Sequence, residues 1–147
     1  MQKISIEEAI EQIVKKDPRY PKESYHFIRE ILDFTIKHFK KNTLGSDRHV
    51  SGKELLEGVR LYSLQEFGPL AFTVLTEWNL RTCEDIGEVV YNMVSMRILK
   101  TTANDSRDDF KNGYHFEEAL RKPFEPSHST SQYLPSRVAK LGSTHSS

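Results

Sequence analysis

Apolar residues recur at helical spacing along most of this chain, with capping and turn residues between the runs. Ser5-Ile6-Glu7-Glu8 has the form of a capping box, in which the Ser5 hydroxyl accepts from the amide at the third helical position and Glu8 reaches back. Ile6, Ile10, Ile13 and Val14 then share one stripe, which predicts a first helix to about Lys16. Asp17-Pro18-Arg19-Tyr20-Pro21 ends it. A second helix is predicted from about Pro21 to Lys41, with Tyr25, Ile28, Leu32 and Phe39 on one side and Phe27, Ile31 and Phe34 widening the stripe. So broad an apolar face belongs to a central helix, and Lys37, Lys40 and Lys41 suit the negative pole at its end.

A loop with Gly45 follows from Lys41 to Val50, and then a second capping box at Ser51-Gly52-Lys53-Glu54. The third helix carries Leu55, Leu56, Val59, Tyr62 and Phe67 and stops at Gly68-Pro69. Proline is tolerated in a first helical turn, so a fourth helix starts at once, with Ala71, Val74, Leu75 and Trp78 facing inward. Thr82 caps a fifth, whose apolar side is Ile86, Val89, Val90, Met93 and Val94 and which ends near Met96 or Arg97. Beyond it the pattern changes. Ile98-Leu99-Lys100-Thr101-Thr102 and Tyr114-His115-Phe116 read as two short strands across a polar stretch from Ala103 to Lys111, and Glu117-Glu118-Ala119-Leu120 as one more helical turn.

A short helix, a tight turn, a longer helix and a ribbon follow one another in the order of a helix-turn-helix unit with a wing, although Arg97 stands where a glycine often turns the chain. The expected fold is therefore mainly α. One helical domain covers residues 1–122, its half over 51–120 is winged helix-turn-helix-like with a short β-ribbon, and residues 123–147, rich in Ser, Thr, Pro and His, form a disordered tail.

Composition narrows the function classes. Lys+Arg and Asp+Glu both total 21, so no long-range field steers polyanions, and neither nucleic acid in general nor an acidic membrane follows from charge. The lone Cys83 makes neither an internal disulfide nor a cysteine-based metal site, though a helix N-terminus favours its thiolate. Met1-Gln2-Lys3-Ile4-Ser5 contains no apolar signal region and no run approaches a membrane span, so a cytoplasmic location without membrane contact is expected.

No motif organises the titratable residues into a catalytic centre. His26, His38, His49, His115, His128 and His145 form no HExxH or HxH pattern, Val50-Ser51-Gly52-Lys53 is a cap rather than a phosphate cradle, and Asp105-Ser106-Arg107-Asp108-Asp109-Phe110 lacks the spacing, glycine and final glutamate of a calcium loop. No cofactor and no metal are expected. In Arg48-His49-Val50-Ser51-Gly52 the serine caps, Arg48 pairs with a carboxylate, and a lysine-rich helix end nearby reads as a solvated surface. Phe110 is a candidate anchor onto the helices, and Gly87 a point of close approach.

The exposed side of the fifth helix decides between partners. It is drawn from Glu84, Asp85, Glu88, Asn92 and Ser95, and carboxylates entering a phosphate-lined groove are repelled. Residues 61–122 hold seven Lys/Arg against ten Asp/Glu. A protein partner is thus expected before nucleic acid, on a surface containing Arg48, His49, Lys53, Asp85, Glu88, Asn92 and Arg107, with self-association as a further form of it. The alternatives are a winged nucleic-acid binder and a small enzyme or metal-binding protein without a recognisable motif.

Arg48-His49-Val50-Ser51-Gly52-Lys53-Glu54-Leu55-Leu56-Glu57-Gly58, then Glu66-Phe67-Gly68-Pro69, Glu84-Asp85-Ile86-Gly87-Glu88-Val89-Val90 and Asp105-Ser106-Arg107-Asp108-Asp109-Phe110 together resemble a small protein family associated with planctomycete and verrucomicrobial bacteria. The likeness covers about Ile10 to Leu120. It implies a bacterial setting and, since that family is known only as hypothetical proteins, carries over no activity and no catalytic residue.

Overall fold

In the computed structural model, which describes residues 4–40, 49–99 and 107–126, five α-helices pack around one core. They are α1 (Ile6–Lys16), α2 (Lys22–Lys40), α3 (Gly52–Phe67), α4 (Ala71–Glu77) and α5 (Cys83–Ser95). The caps explain where three of them begin. Ser5 and Glu8 exchange hydrogen bonds of 3.1 and 3.0 Å at the start of α1, and Ser51 and Glu54 repeat the arrangement at α3. At α5 the same box is built from Thr82 and Asp85. Its third residue is an aspartate, so Asp85 serves the helix as well as its surface.

Helices α2 and α3 run antiparallel, because Gly58 meets Thr35 while Tyr62, one turn later, reaches back to Glu30 with a 3.1 Å hydrogen bond. The approach is close enough that a Cβ on Gly58 would overlap Thr35 Oγ1, which itself donates 2.7 Å to the Ile31 carbonyl. Ile10, Ile28, Ile31, Val59, Leu75, Ile86, Val89 and Met93 fill the centre. Phe27 is the hub of an aromatic group, with ring centroids 4.9 Å from Trp78, 5.7 Å from Phe67 and 6.0 Å from Tyr62. Trp78, Tyr62 and Phe67, partly buried, thus pack against the core. At the outer ends of the stripes, Ile6 and Phe39 lie on the expected faces yet remain 42% and 39% exposed.

The β-ribbon and its wing are not formed: no strand occurs among the described residues. The first expected strand fails at Arg97. That residue takes a left-handed conformation (φ 62°), which lets the amides of Ile98 and Leu99 return to the Met93 carbonyl at 2.9 and 3.4 Å and close the end of α5. Ile98 and Leu99 then fold onto α2 beside His26, Arg29 and Leu32 instead of extending away. The second expected strand, Tyr114-His115-Phe116, has its polar groups committed to helices. Tyr114 Oη donates 2.6 Å to the Leu56 carbonyl, the Tyr114 carbonyl faces Cys83 Sγ at 3.4 Å, and Phe116 leads into a π-turn at Glu117–Arg121. Residues 100–106, including Lys100 and Asp105, and the tail from 127 onward lie outside the described residues, as do 41–48 of the predicted loop.

In place of a wing, residues 107–124 form an irregular arm lying across α3, α4 and α5. It consists of a 3₁₀ turn at Arg107–Phe110, the π-turn and a second 3₁₀ turn at Lys122–Phe124. Phe110, Phe116 and Leu120 are its buried anchors. Phe110 sits in a notch between helices: a Cβ on Gly87 would lie 2.9 Å from Phe110 Cβ, and one on Gly52 3.1 Å from Phe110 Cζ.

Candidate functional site

The carboxylates of α5 do not form a free acidic face. Asp85 accepts from Tyr20 Oη at 2.6 Å and from the backbone amides of Arg81 and Thr82 at 2.9 and 3.1 Å. Glu88 is shared between two cations, Arg19 at 3.1 Å and Arg107 at 2.8 Å. Asn92 donates 3.0 Å bonds to Asp17 and to Tyr25 Oη. These bonds tie the turn between α1 and α2, and the start of the arm, to one side of α5.

The clasp has clear electrostatic consequences. Arg19 grips Asp17 with two bonds, 2.8 Å from Nε and 2.7 Å from Nη2, and these hold the Asp17 carboxyl well below the ordinary carboxylate range. Burial, and then the hydrogen bond to Asp85, push the Tyr20 hydroxyl above its usual value. Arg107 also lies 4.8 Å from the centre of the Tyr91 ring, which stands perpendicular to the ring of Phe110.

Of the remaining residues expected at a partner surface, His49 and Lys53 flank the Ser51 cap, with Lys53 exposed, and Arg48 lies outside the described residues. The expected surface therefore divides: Asp85, Glu88, Asn92 and Arg107 are gathered in the clasp, while His49 and Lys53 sit at the start of α3. Lys111 pairs with Asp108 at 3.1 Å. Cys83, placed by the sequence at a helix N-terminus, is buried there, and burial raises its thiol to about 11, so the neutral form prevails at neutral pH.

A groove lies at the opposite end of α5 from Arg97. Two adjoining concavities of about 380 and 430 Å³ share Arg81, His115 and Phe116. The first is completed by Glu84 and the arm residues Asn112, Gly113 and Tyr114; the second by Phe72, Glu118 and Lys122. Leu70, 63% exposed, stands just before Phe72. Arg121 is held by Glu117 at 2.8 Å and lies 5.8 Å from the Phe72 ring. The groove thus combines aromatic walls with a rim of both charges.

Sequence reasoning did not find this groove. Its residues come from α4, the α4–α5 turn and the arm, and no local spacing connects them. Nor did it find Arg19 and Tyr20, which read as parts of a helix-breaking turn. No group of three or more His, Cys, Asp or Glu among the described residues is placed to hold a metal ion, and no described helix is long and apolar enough to cross a membrane.

No family model, curated protein or solved structure matches the chain.

Proposed function

We propose that this chain is a non-enzymatic protein-interaction module that receives a segment of a protein partner in the groove between α4, the start of α5 and the arm. The observation that carries the reading is the groove's composition. Half-buried Phe72 provides apolar area, Arg81, His115 and Lys122 stand against Glu84 and Glu118 around it, and Leu70, two residues before Phe72, is an exposed apolar side chain. Protein interfaces combine an apolar centre with a polar rim and are enriched in aromatic and arginine residues. With Asp85, Glu88 and Asn92 engaged inside the molecule, the acidic side of α5 holds the fold together, and the groove is the better-placed contact surface. A bacterial setting, through the family resemblance, and a cytoplasmic location are part of this proposal.

The winged nucleic-acid alternative drew on the wing and on the Arg48 to Lys53 loop; no strand forms a wing among the described residues, Arg107 is held by Glu88 and Lys111 by Asp108, and Arg48 lies outside the described residues, so no described observation favours it.

Affinity capture from the native host, with and without nuclease, tests the reading. A partner retained after nuclease and lost on the double substitution Arg81→Glu/His115→Glu is the expected result. Loss of every partner on nuclease treatment, or a partner indifferent to the groove substitutions, overturns it.

A further inference from the structure

We propose that the arm, residues 107–124, is a strap that opens as one unit while α1–α5 stay folded, uncovering the seat of Phe110 and the Cys83 thiol. The first support is its hydrogen bonding. Among the described residues, the arm's backbone bonds close within the arm: Lys111 to Asp108, Ala119 to His115 and Glu125 to Lys122. Its polar links to the helices include the side-chain contacts Arg107 to Glu88, Tyr114 Oη to the Leu56 carbonyl and Cys83 Sγ to the Tyr114 carbonyl. Lifting the arm therefore breaks no helical ladder.

The second support is the division of the core. Ile10, Ile28, Ile31, Val59, Leu75, Ile86, Val89 and Met93 come from α1 to α5 alone, whereas the arm adds only Phe110, Phe116 and Leu120. Those anchors act against the conformational entropy of ordering a long irregular segment, and segments with that balance are the ones that open below the global unfolding free energy. The notch at Gly52 and Gly87 makes the seating specific, since only the absence of Cβ atoms lets the Phe110 ring in. Glu88 is the latch. It binds Arg107 of the arm and Arg19 of the α1–α2 turn at once, so one carboxylate joins the start of the arm to that turn.

The fold supplies its own reporter. Cys83 is the sole cysteine, 1% exposed, and it lies directly under the arm, where a Cβ on Gly113 would come within 2.7 Å of its sulfur. Reaction of the full-length protein with a small maleimide at neutral pH, across sub-denaturing urea, measures opening. Far-UV circular dichroism of the same samples measures unfolding of the helices. The expected result is a labelling rate that depends on urea less steeply than helix unfolding does, because opening the strap exposes less surface. Phe110→Ala is expected to speed labelling at least about 10-fold, and Arg107→Ala about 2- to 3-fold, each with a urea dependence of labelling that stays shallower than that of helix loss. Equal urea dependence for labelling and helix loss overturns the proposal, and that comparison needs no variant. A Phe110→Ala protein whose Cys83 labels no faster than that of its parent overturns it as well.

Discussion

The seam between α2 and α3 and the seat of the arm on α3 and α5 use the same device, a missing Cβ, with different backing. At the seam, Gly58 admits Thr35, and both residues belong to regular helices whose neighbours interlock along their length. At the seat, Gly52 and Gly87 admit the ring of Phe110 from a chain that carries no ladder bond to either helix. An intrusion at the seam must move a whole helix. An intrusion at the seat has only to displace one side chain and the turn that carries it. Close packing is therefore not a uniform measure of rigidity: what matters is how much structure must move together when a contact is lost.

The contrast is sharpest at Gly58. Gly58→Ala is expected to lower stability by about 2 kcal/mol or more, despite the roughly 1 kcal/mol that alanine gains over glycine in a helix, because the new methyl drives into Thr35. Urea denaturation measures the loss, and adding Thr35→Ala in the same chain should return much of it. A Gly58→Ala protein as stable as its parent would remove the distinction between the two regions. Gly87→Ala is the matching change at the seat; its methyl meets Phe110 while alanine favours the helix, so it should cost about 1 kcal/mol or less, read as up to roughly fivefold faster maleimide labelling of Cys83 and a melting shift smaller than that of Gly58→Ala. A melting shift as large as that of Gly58→Ala would make the seat part of the rigid frame.

Acid separates the regions by another route. The Asp17 carboxyl is held low in the folded state, so the stability it contributes is complete above the ordinary aspartate pKa of about 3.9 and is lost as pH falls below that value. Thermal midpoints followed into acid should therefore fall less steeply for Asp17→Asn than for the parent. Equal acid slopes would show that the Asp17–Arg19 pair contributes little. The smallest expected effect is at Arg97. Glycine relieves the left-handed strain there but loses more chain entropy on folding, so Arg97→Gly should add only a few tenths of a kcal/mol up to about 1 kcal/mol. A destabilised variant would show that the Arg97 side chain holds the end of α5 through a contact of its own.

How far the sequence could be read follows the same division. Helix α1 begins and ends where Ser5-Ile6-Glu7-Glu8 and Asp17-Pro18 put it, and α3 runs from the Ser51 cap to Gly68 as its pattern required. Both depend on signals a few residues apart. The ribbon was misread because β-branched and aromatic residues in Ile98-Leu99 and Tyr114-His115-Phe116 suit a strand or a packed irregular segment equally well. Phe110 as an anchor was legible from its apolar ring in a polar stretch, but its seat was not, since Gly52 and Gly87 are far from it in the chain. The groove around Arg81 and His115 gave no local signal for the same reason.

By itself the sequence determined the five helices, their caps and most of the residues that face inward, because helix formation answers to neighbours three and four positions away. The tertiary structure alone decided what the polar residues of α5 do. Glu84, Asp85 and Glu88 looked like a solvent-facing acidic side, yet Tyr20, Arg19 and Arg107 arrive from segments before and after α5 and engage Asp85 and Glu88. A partner that arrives from a distant segment is set by whatever the folded chain brings within about 4 Å, and no spacing along the sequence encodes it.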